Sequence, residues 1–309
     1  MTQVKRVKRD IDGLLFLDKP SGISSNRALQ IAKRLFKARK AGHTGSLDPL
    51  ASGMLPLCFG NATKVSALML ASDKAYEVRM KIGERTDTAD AEGEVVERSV
   101  VTELTDAQLA EAISAYTGEY DQVPPMYSAL KKDGQRLYKL AREGIEVERK
   151  ARRITIHEVN VIDADPAQPK LFVRCSKGTY IRSLVEDIAA AAGTLAHVIE
   201  LRRVWVEPFR DVEMITLPEL EALAEEGEGD DCEALDGLLA APDIALKHLP
   251  EAHFTAEDAA RLANGQAAVP QQAVSGTCRM YAENGDFIGI GEASDGENVA
   301  PKRIFARNL

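Results

Sequence analysis

Apolar residues along this chain switch between two periods, and the switching never settles into the regular strand–helix–strand repeat that a parallel sheet requires. AYEVRMKIG (75–83) alternates cleanly. Tyr76, Val78, Met80 and Ile82 face one way and Glu77, Arg79 and Lys81 the other, as in a half-buried strand. Upstream, Ala28, Ile31, Ala32, Leu35 and Phe36 fall at i, i+3, i+4, i+7 and i+8, the buried stripe of a helix capped by Ser24 or Ser25. A short strand and a Lys-Pro-Ser-Gly turn precede that helix. Further strands are predicted at Met54–Phe59, Ile154–Ile162, Leu171–Cys175 and about His197–Val206. Helices are predicted from about Ala62, from Thr105 and from Thr179 or Tyr180, and RTDTADAEG (85–93) reads as a polar loop. This order predicts an α+β fold with a mixed, mostly antiparallel central sheet flanked by helices.

At 309 residues and 45% apolar composition, the chain can bury one large core and a small one. QVPPMYSALKKDGQRLYKLAREGIEVERKARR (122–153) breaks the periodic pattern with two prolines and a basic, tyrosine-bearing run, and reads as an insertion projecting from the sheet. EALAEEGEGDDCEALDG (221–237) is acidic and reads as a surface excursion before a boundary near residue 245. In RMYAENGDFIGIGEAS (279–294), Asn284-Gly285 between apolar runs signals a tight hairpin, so a small all-β module is expected to close the chain.

The segment AGHTGSLDPLASGMLPLCFGNATK (41–64) holds a single carboxylate, Asp48, among glycines, small hydroxyl residues and apolar side chains. Aspartate before proline commonly initiates a turn, and taken alone Asp48 would be read that way. Three features favour chemistry. The flanking glycines let backbone approach a ligand closely. His43 can stack or wedge. No second acid or Ser/His pair in the stretch shares the work, and one carboxylate in a dry pocket can be a nucleophile if a cation keeps it ionised. In CSKGTYIRSLVEDIA (175–189), Arg182 lies off the apolar face made by Ile181, Leu184, Val185 and Ile188, either as a surface arginine or as one reaching across a cleft. Tyr76 would by default be a core tyrosine with its hydroxyl bonded.

The five histidines and four scattered cysteines show no metal-ligand spacing. No run approaches the roughly 18 apolar residues of a membrane span. Free thiols and the lack of a secretory pattern make the cytoplasm the expected compartment. Net charge is −9, yet residues 1–40 carry 11 Lys and Arg against 3 Asp and Glu, and residues 125–182 carry 13 against 7. A polyanion responds to the local field, so these segments can form a phosphate-binding face, or be solvated helix surface.

LDKPSGISSN, the Asp48 segment, SDKAYEVRMKIGERTDTADAEG, VPPMYSALKKDGQRLYKLAREGIEV, CSKGTYIRSLVEDI and AHVIELRRV occur in order over most of residues 12–206. Together they resemble the TruB-type bacterial tRNA pseudouridine-55 synthases, relatives of the catalytic subunit of box H/ACA pseudouridine ribonucleoproteins. The resemblance implies a pseudouridine synthase catalytic domain at 10–245, with an RNA-gripping thumb insertion at about 124–152, and a PUA-like C-terminal module at 246–309. It implies that Asp48 attacks a flipped-out T-loop uridine at the base or at the anomeric carbon, that Arg182 pairs with Asp48, and that Tyr76 stacks on the uracil and is available to move a proton. His43 would enter the RNA, Tyr180 and Leu201 would line the pocket, and Lys19 with Pro20 would buttress the catalytic loop. Isomerisation needs no cofactor or metal, and the partner implied is the T-arm stem-loop of tRNA, met by a monomer with no obligate protein partner. A non-catalytic tRNA-binding or RNA-chaperone protein and a guide-dependent synthase subunit are the alternatives. Asp48, Tyr76 and Arg182 occurring together speak against the first, and the extended thumb against the second.

Overall fold

The computed structural model describes residues 8–226, 232–294 and 297–305, so the first residues of the basic N-terminal segment and the middle of the acidic run lie outside the described residues. The chain enters through β1 (Gly13–Lys19), an apolar strand buried nearly throughout. The helix α1 (Ser25–Leu35) follows, and Ser24 caps it by accepting from the Arg27 N–H. Two strands, β2 (Ala41–His43) and β3 (Ser52–Phe59), then flank the Asp48 loop. β2 lies where the sequence reads as loop. Three residues are too short for a two-residue period to show, but α1 returns the chain antiparallel to residues 57–59 and the backbone pairs there. The expected helix from about Ala62 is a 3-10 turn (Gly60–Lys64) and the short α2 (Ser66–Leu70).

The alternating strand is β4 (Lys74–Ile82), and its Tyr76, Val78, Met80 and Ile82 side is the buried one, as the period requires. The hairpin β5 (Glu84–Thr86) and β6 (Val95–Arg98) brackets the polar loop. α3 (Asp106–Ser114) starts with a full capping box between Thr105 and Gln108. After β7 (Gly118–Gln122), the basic segment folds into a two-stranded hairpin, β8 (Lys131–Lys132) and β9 (Gln135–Arg136), and then α4 (Leu137–Arg142). Next come β10 (Arg152–Asp163), β11 (Lys170–Cys175), α5 (Ile181–Ala191) and β12 (Ala196–Val206). The long sheet runs β13-β1-β3-β12-β4-β11-β10-β7, with β13 (Ile215–Thr216) at its edge. Only the β1–β13 and β3–β12 pairings in it are parallel. Gly53 sits at the second of these with φ +98, where a Cβ would lie 2.2 Å from the Arg203 carbonyl oxygen, so only glycine lets β3 and β12 approach.

The acidic stretch is not a mere surface excursion. Its described parts belong to α6 (Leu217–Glu226) and α7 (Glu233–Asp236); the partly buried Leu223 and Ala224 and the buried Leu235 join Leu217 and Leu220 in a core with Ala28 and Ala32 of α1 and with Phe36 just after it. Averaged composition hid a narrow apolar stripe beneath the glutamates. The C-terminal unit is β-rich but not all-β. The helix α8 (Ala256–Ala263) follows β14 (Glu251–Phe254) and packs Ala259 and Leu262 against β15 (Gly276–Ala282), β16 (Phe287–Ser294) and β17 (Asn298–Ile304). Thr255 caps α8 by accepting from the Asp258 N–H, local chemistry of the same kind as at Thr105. The small sheet is joined to the large one by an apolar seam in which Ile290 and Phe305 meet Leu14, Phe16 and Phe209.

Candidate active site

Asp48 lies in the turn between β2 and β3, and three elements hold that turn. From α1, the buried Ser25 hydroxyl accepts from the Leu47 N–H at 2.7 Å and donates to the Leu47 carbonyl at 2.9 Å. From the end of β1, Lys19 is fully buried and its ammonium donates to the carbonyls of Pro20 (2.8 Å), Ile23 (2.6 Å) and Pro49 (3.4 Å). Burial pushes the Lys19 amine down to about 8, with Glu92 and Asp48 opposing. From β12, Arg203 donates to the carbonyls of Met54 (2.7 Å) and Gly45 (3.2 Å). Asp48 also closes a turn onto the Ala51 N–H through its backbone carbonyl at 3.1 Å. The bland and the chemical readings of Asp-Pro therefore hold together: the turn is what presents the side chain.

Arg182 faces this loop from the first turn of α5. It is 5% exposed, so the surface-arginine alternative falls away. One guanidinium nitrogen lies 3.0 Å from the Asp48 carboxylate, and the other 3.4 Å from Asp90. The same group donates to the carbonyls of Thr88 and Tyr127, each at 2.7 Å. A planar fork with five donors can serve four acceptors at once, which a lysine cannot. One side chain thus ties together the Asp48 loop, the polar loop and the base of the basic insertion.

Asp90 is the residue that sequence reasoning missed. It sits in a stretch that reads as polar loop, yet it is 3% exposed, accepts from the Thr88 hydroxyl at 2.6 Å, and brings a second carboxylate to the arginine. Asp48 is alone in its own segment but not in the site. The signal was a spacing across 92 residues, which only the fold reveals. Arg203 was missed for the same reason: within LRRV it reads as an ordinary strand cation.

Tyr76 and Leu201 are buried in the same apolar cluster as Leu47. Tyr76 pairs with Arg203 across the β4–β12 register, and burial pushes its phenol up to about 12, with Arg203 opposing. Tyr180 is the residue that precedes α5, half-buried, its N–H donating to Gln122 at 2.8 Å and its phenol raised by burial. His43 lies at the end of β2. Its Nδ1 is buried without a hydrogen-bond partner among the described residues, and burial and then Arg203 push its pKa down, so the ring is neutral at physiological pH. The structure thus brings Asp48, Arg182, Lys19, Tyr76 and Tyr180 near one another, with Leu201 in the apolar cluster that holds Tyr76 and with His43 at the end of β2, ahead of the Asp48 turn. Among the described residues no cluster of His, Cys, Asp and Glu is placed to ligate a metal.

The Asp48 side chain keeps 42% of its surface open to solvent, with protein around the rest. Its pKa is raised: burial and then Asp90 push it up, outweighing Arg182 and Lys19, which pull it down. A carboxylate nucleophile acts only when ionised, so activity is lost as pH falls through this raised value. We expect the acid limb of the single-turnover rate to lie above the ordinary aspartate range. It should move to lower pH in Asp90→Asn, which removes the carboxylate that pushes Asp48 up, if that variant keeps the loop in place. A limb unmoved in Asp90→Asn would show that Asp90 does not act on the titrating group.

The fold matches that of a chain in a solved Cbf5-Nop10-Gar1 complex, with a TM-score of 0.71 at 24% identity over 95% of this chain and 85% of that one. The structure of an H/ACA RNP bound to a substrate RNA gives a TM-score of 0.70 at 21% identity, over 95% of this chain and 85% of that one. The architecture is that of the pseudouridine synthases. Residues 33–181 match the model for the TruB family pseudouridylate synthase (N terminal domain), and residues 182–247 that for the tRNA pseudouridylate synthase B C-terminal domain. Residues 250–305 match the model described as Pseudouridine synthase II TruB, C-terminal. Proteins named tRNA pseudouridine synthase B from Ectopseudomonas mendocina (strain ymp) and Stutzerimonas stutzeri (strain A1501) are each 50% identical over 306 residues, 99% of both chains. The chain belongs to the TruB family of tRNA pseudouridine synthases: it is an RNA-binding isomerase that converts uridine in tRNA to pseudouridine.

Proposed function

We propose that the uridine isomerised is that of the T-loop, position 55, flipped out of its stack into the cleft before Asp48. The observation that carries this reading is the Asp48–Arg182 pair on a loop braced by Lys19, Ser25 and Arg203, with the Asp48 carboxylate still exposed. The chemistry breaks the C1′–N1 bond, forms C1′–C5, removes a proton from C5 and returns one to N1. No oxidation, hydrolysis or group donor is involved. Asp48 supplies the nucleophile, to the base or to the anomeric carbon, and Arg182 aims it. Tyr76 stacks against the uracil, with Leu201 and Tyr180 as the pocket wall. His43 fills space left by the displaced bases, where an uncharged ring costs least to desolvate. Extrusion of a base from a folded loop costs a few kcal/mol, which phosphate contacts offset.

In this reading residues 10–245 are the catalytic domain and 246–309 the PUA-like module. The enzyme works as a cytoplasmic monomer without an obligate protein partner, and the insertion at about 124–152 is the thumb that grips the T-arm. Lys131, Lys132, Gln135 and Arg136 stand exposed on the β8–β9 hairpin, and a cleft of about 280 Å³ at its base is lined by Lys131, Lys132, Arg149, Lys150 and Arg152. Replacing Lys131, Lys132 and Arg136 by glutamine should weaken all tRNAs alike. The slope of log affinity against log salt should become shallower by about 0.7–0.9 for each phosphate that is no longer neutralised. The chemical step at saturating RNA should change far less. An unaltered slope would place the RNA elsewhere. The T-loop assignment itself is tested with an isolated T-arm stem-loop: it should be isomerised at the uridine of position 55, and an inert stem-loop would count against it.

A further inference from the structure

Arg203 is the largest fully buried side chain among the described residues, 1% exposed, and it forms no ion pair among them. Its donors go to the Met54 and Gly45 carbonyls, and it sits directly across the β4–β12 register from Tyr76. A cation withdrawn from water without a counter-charge is costly. It is kept where the charge serves something that an apolar residue of the same volume would not. Two more buried cations near it share this arrangement, with carbonyl oxygens as their hydrogen-bond partners: Lys19 under the Asp48 loop and Lys74, which donates to the Leu70 and Ser72 carbonyls. Each of the two feels the charge of Arg203, which lowers its pKa further. Arg203 is thus one of three buried cations beside the catalytic turn.

The position of Arg203 is set by sheet register. Leu201 pairs with Val78 and Arg203 with Tyr76, and the register shifts between Arg203 and Trp205. Such a shift re-aims side chains locally. Here it leaves Arg203 pointing under the catalytic turn, where Gly45, at φ +125, brings its carbonyl down to the guanidinium. One side chain therefore binds the backbone that carries Asp48 from the strand position that pairs with Tyr76.

We propose that Arg203 is a positioning residue for the isomerisation, fixing the Gly45–Asp48 turn and the Tyr76 hydroxyl in one frame and leaving the phenol proton free to move. The proposal rests on the proposed function above and on the proton-moving role that the family resemblance implies for Tyr76. A buried cation across the sheet from a phenol favours the phenolate in place, so the phenol proton can leave and return. Cleavage of C1′–N1 leaves the bond pair on the uracil. Tyr76 gives its proton to N1, and Arg203 faces the resulting phenolate. After C5 bonds to C1′, the phenolate takes the C5 proton. Tyr76 ends as it began, and the reaction is a net isomerisation.

The test is a double-mutant cycle: Arg203→Met and Arg203→Lys, each alone and with Tyr76→Phe. Single-turnover rates are read by tritium release from uridine labelled at C5, with tRNA affinity and thermal unfolding measured on the same proteins. Arg203→Met should lower the rate by about 100-fold, the scale of a proton-transfer contribution, with affinity held within about 3-fold and partial recovery in Arg203→Lys. In the Tyr76→Phe background the same substitutions should lower the rate by less than about 3-fold, because the partner is already gone. An equal loss in both backgrounds would mean that Arg203 only braces the turn, and would overturn the proposal, as would an unchanged rate. Should Arg203→Met fail to fold, Arg203→Lys decides by the same comparison. A Tyr76→Phe enzyme at the wild-type rate would remove the Tyr76 reading itself, a distinct failure from additivity.

Discussion

Asp48→Asn brings pseudouridine formation to background while leaving tRNA bound within a few-fold. Asparagine keeps the shape of the side chain and an oxygen for Arg182, and the bonds that fix the turn come from Lys19, Ser25 and Arg203 rather than from the carboxylate. Arg182 keeps its acceptors at Thr88, Tyr127 and Asp90. What disappears is the anionic oxygen that attacks carbon. Loss of a nucleophile with the rest of the site intact lowers turnover by about 10⁴-fold or more. Affinity comes mostly from phosphate contacts on basic surface, so it should survive. Pseudouridine formed by the asparagine variant at a comparable rate would remove Asp48 from the chemistry.

Arg182→Met has the second largest effect, and it acts twice. It leaves Asp48 and the buried Asp90 without their shared cation, and for Asp90 little water is at hand to replace it. It also frees the Thr88 and Tyr127 carbonyls, loosening the polar loop and the base of the basic insertion together. Turnover should fall by at least about 10²–10³-fold, the scale for losing an oriented cationic donor, and Arg182→Lys should recover only part of it. Stability should fall by about 3–5 kcal/mol, because a buried carboxylate is left unpaired. Adding Asp90→Asn to Arg182→Met should restore much of the stability and little of the activity. Near-wild-type turnover in Arg182→Met would end the pairing account.

The sheet was legible where a strand is half-buried and its period survives in the sequence, as in β4, where one face of Tyr76 to Ile82 is core. The cap at Thr105 was legible, and the cap of α1 was narrowed to Ser24 or Ser25, because caps are local chemistry between residues three apart. Short elements were not: β2 is held by pairing to β3, and α6 by two leucines among glutamates. In the site, Asp48 stood out because its own segment carries no other acid. Asp90 and Arg203 did not, since their role is set by where a loop and a strand register place them, across 92 and 127 residues of chain from Arg182 and Tyr76 respectively. Local pattern cannot carry a relation of that range. The resemblance supplied the pairing of Asp48 with Arg182; the structure supplied the second carboxylate and the buried cations beneath the loop.

The central claim is that this chain, alone, uses the Asp48 site to isomerise one T-loop uridine. Its most direct test is nucleotide-resolution mapping of pseudouridine in an unmodified tRNA transcript after incubation with the purified protein and buffer only, beside an Asp48→Asn control. Pseudouridine is predicted at position 55 and nowhere else, and is absent from the control. No product without a further component, product at another position, or product made equally by the control would contradict it.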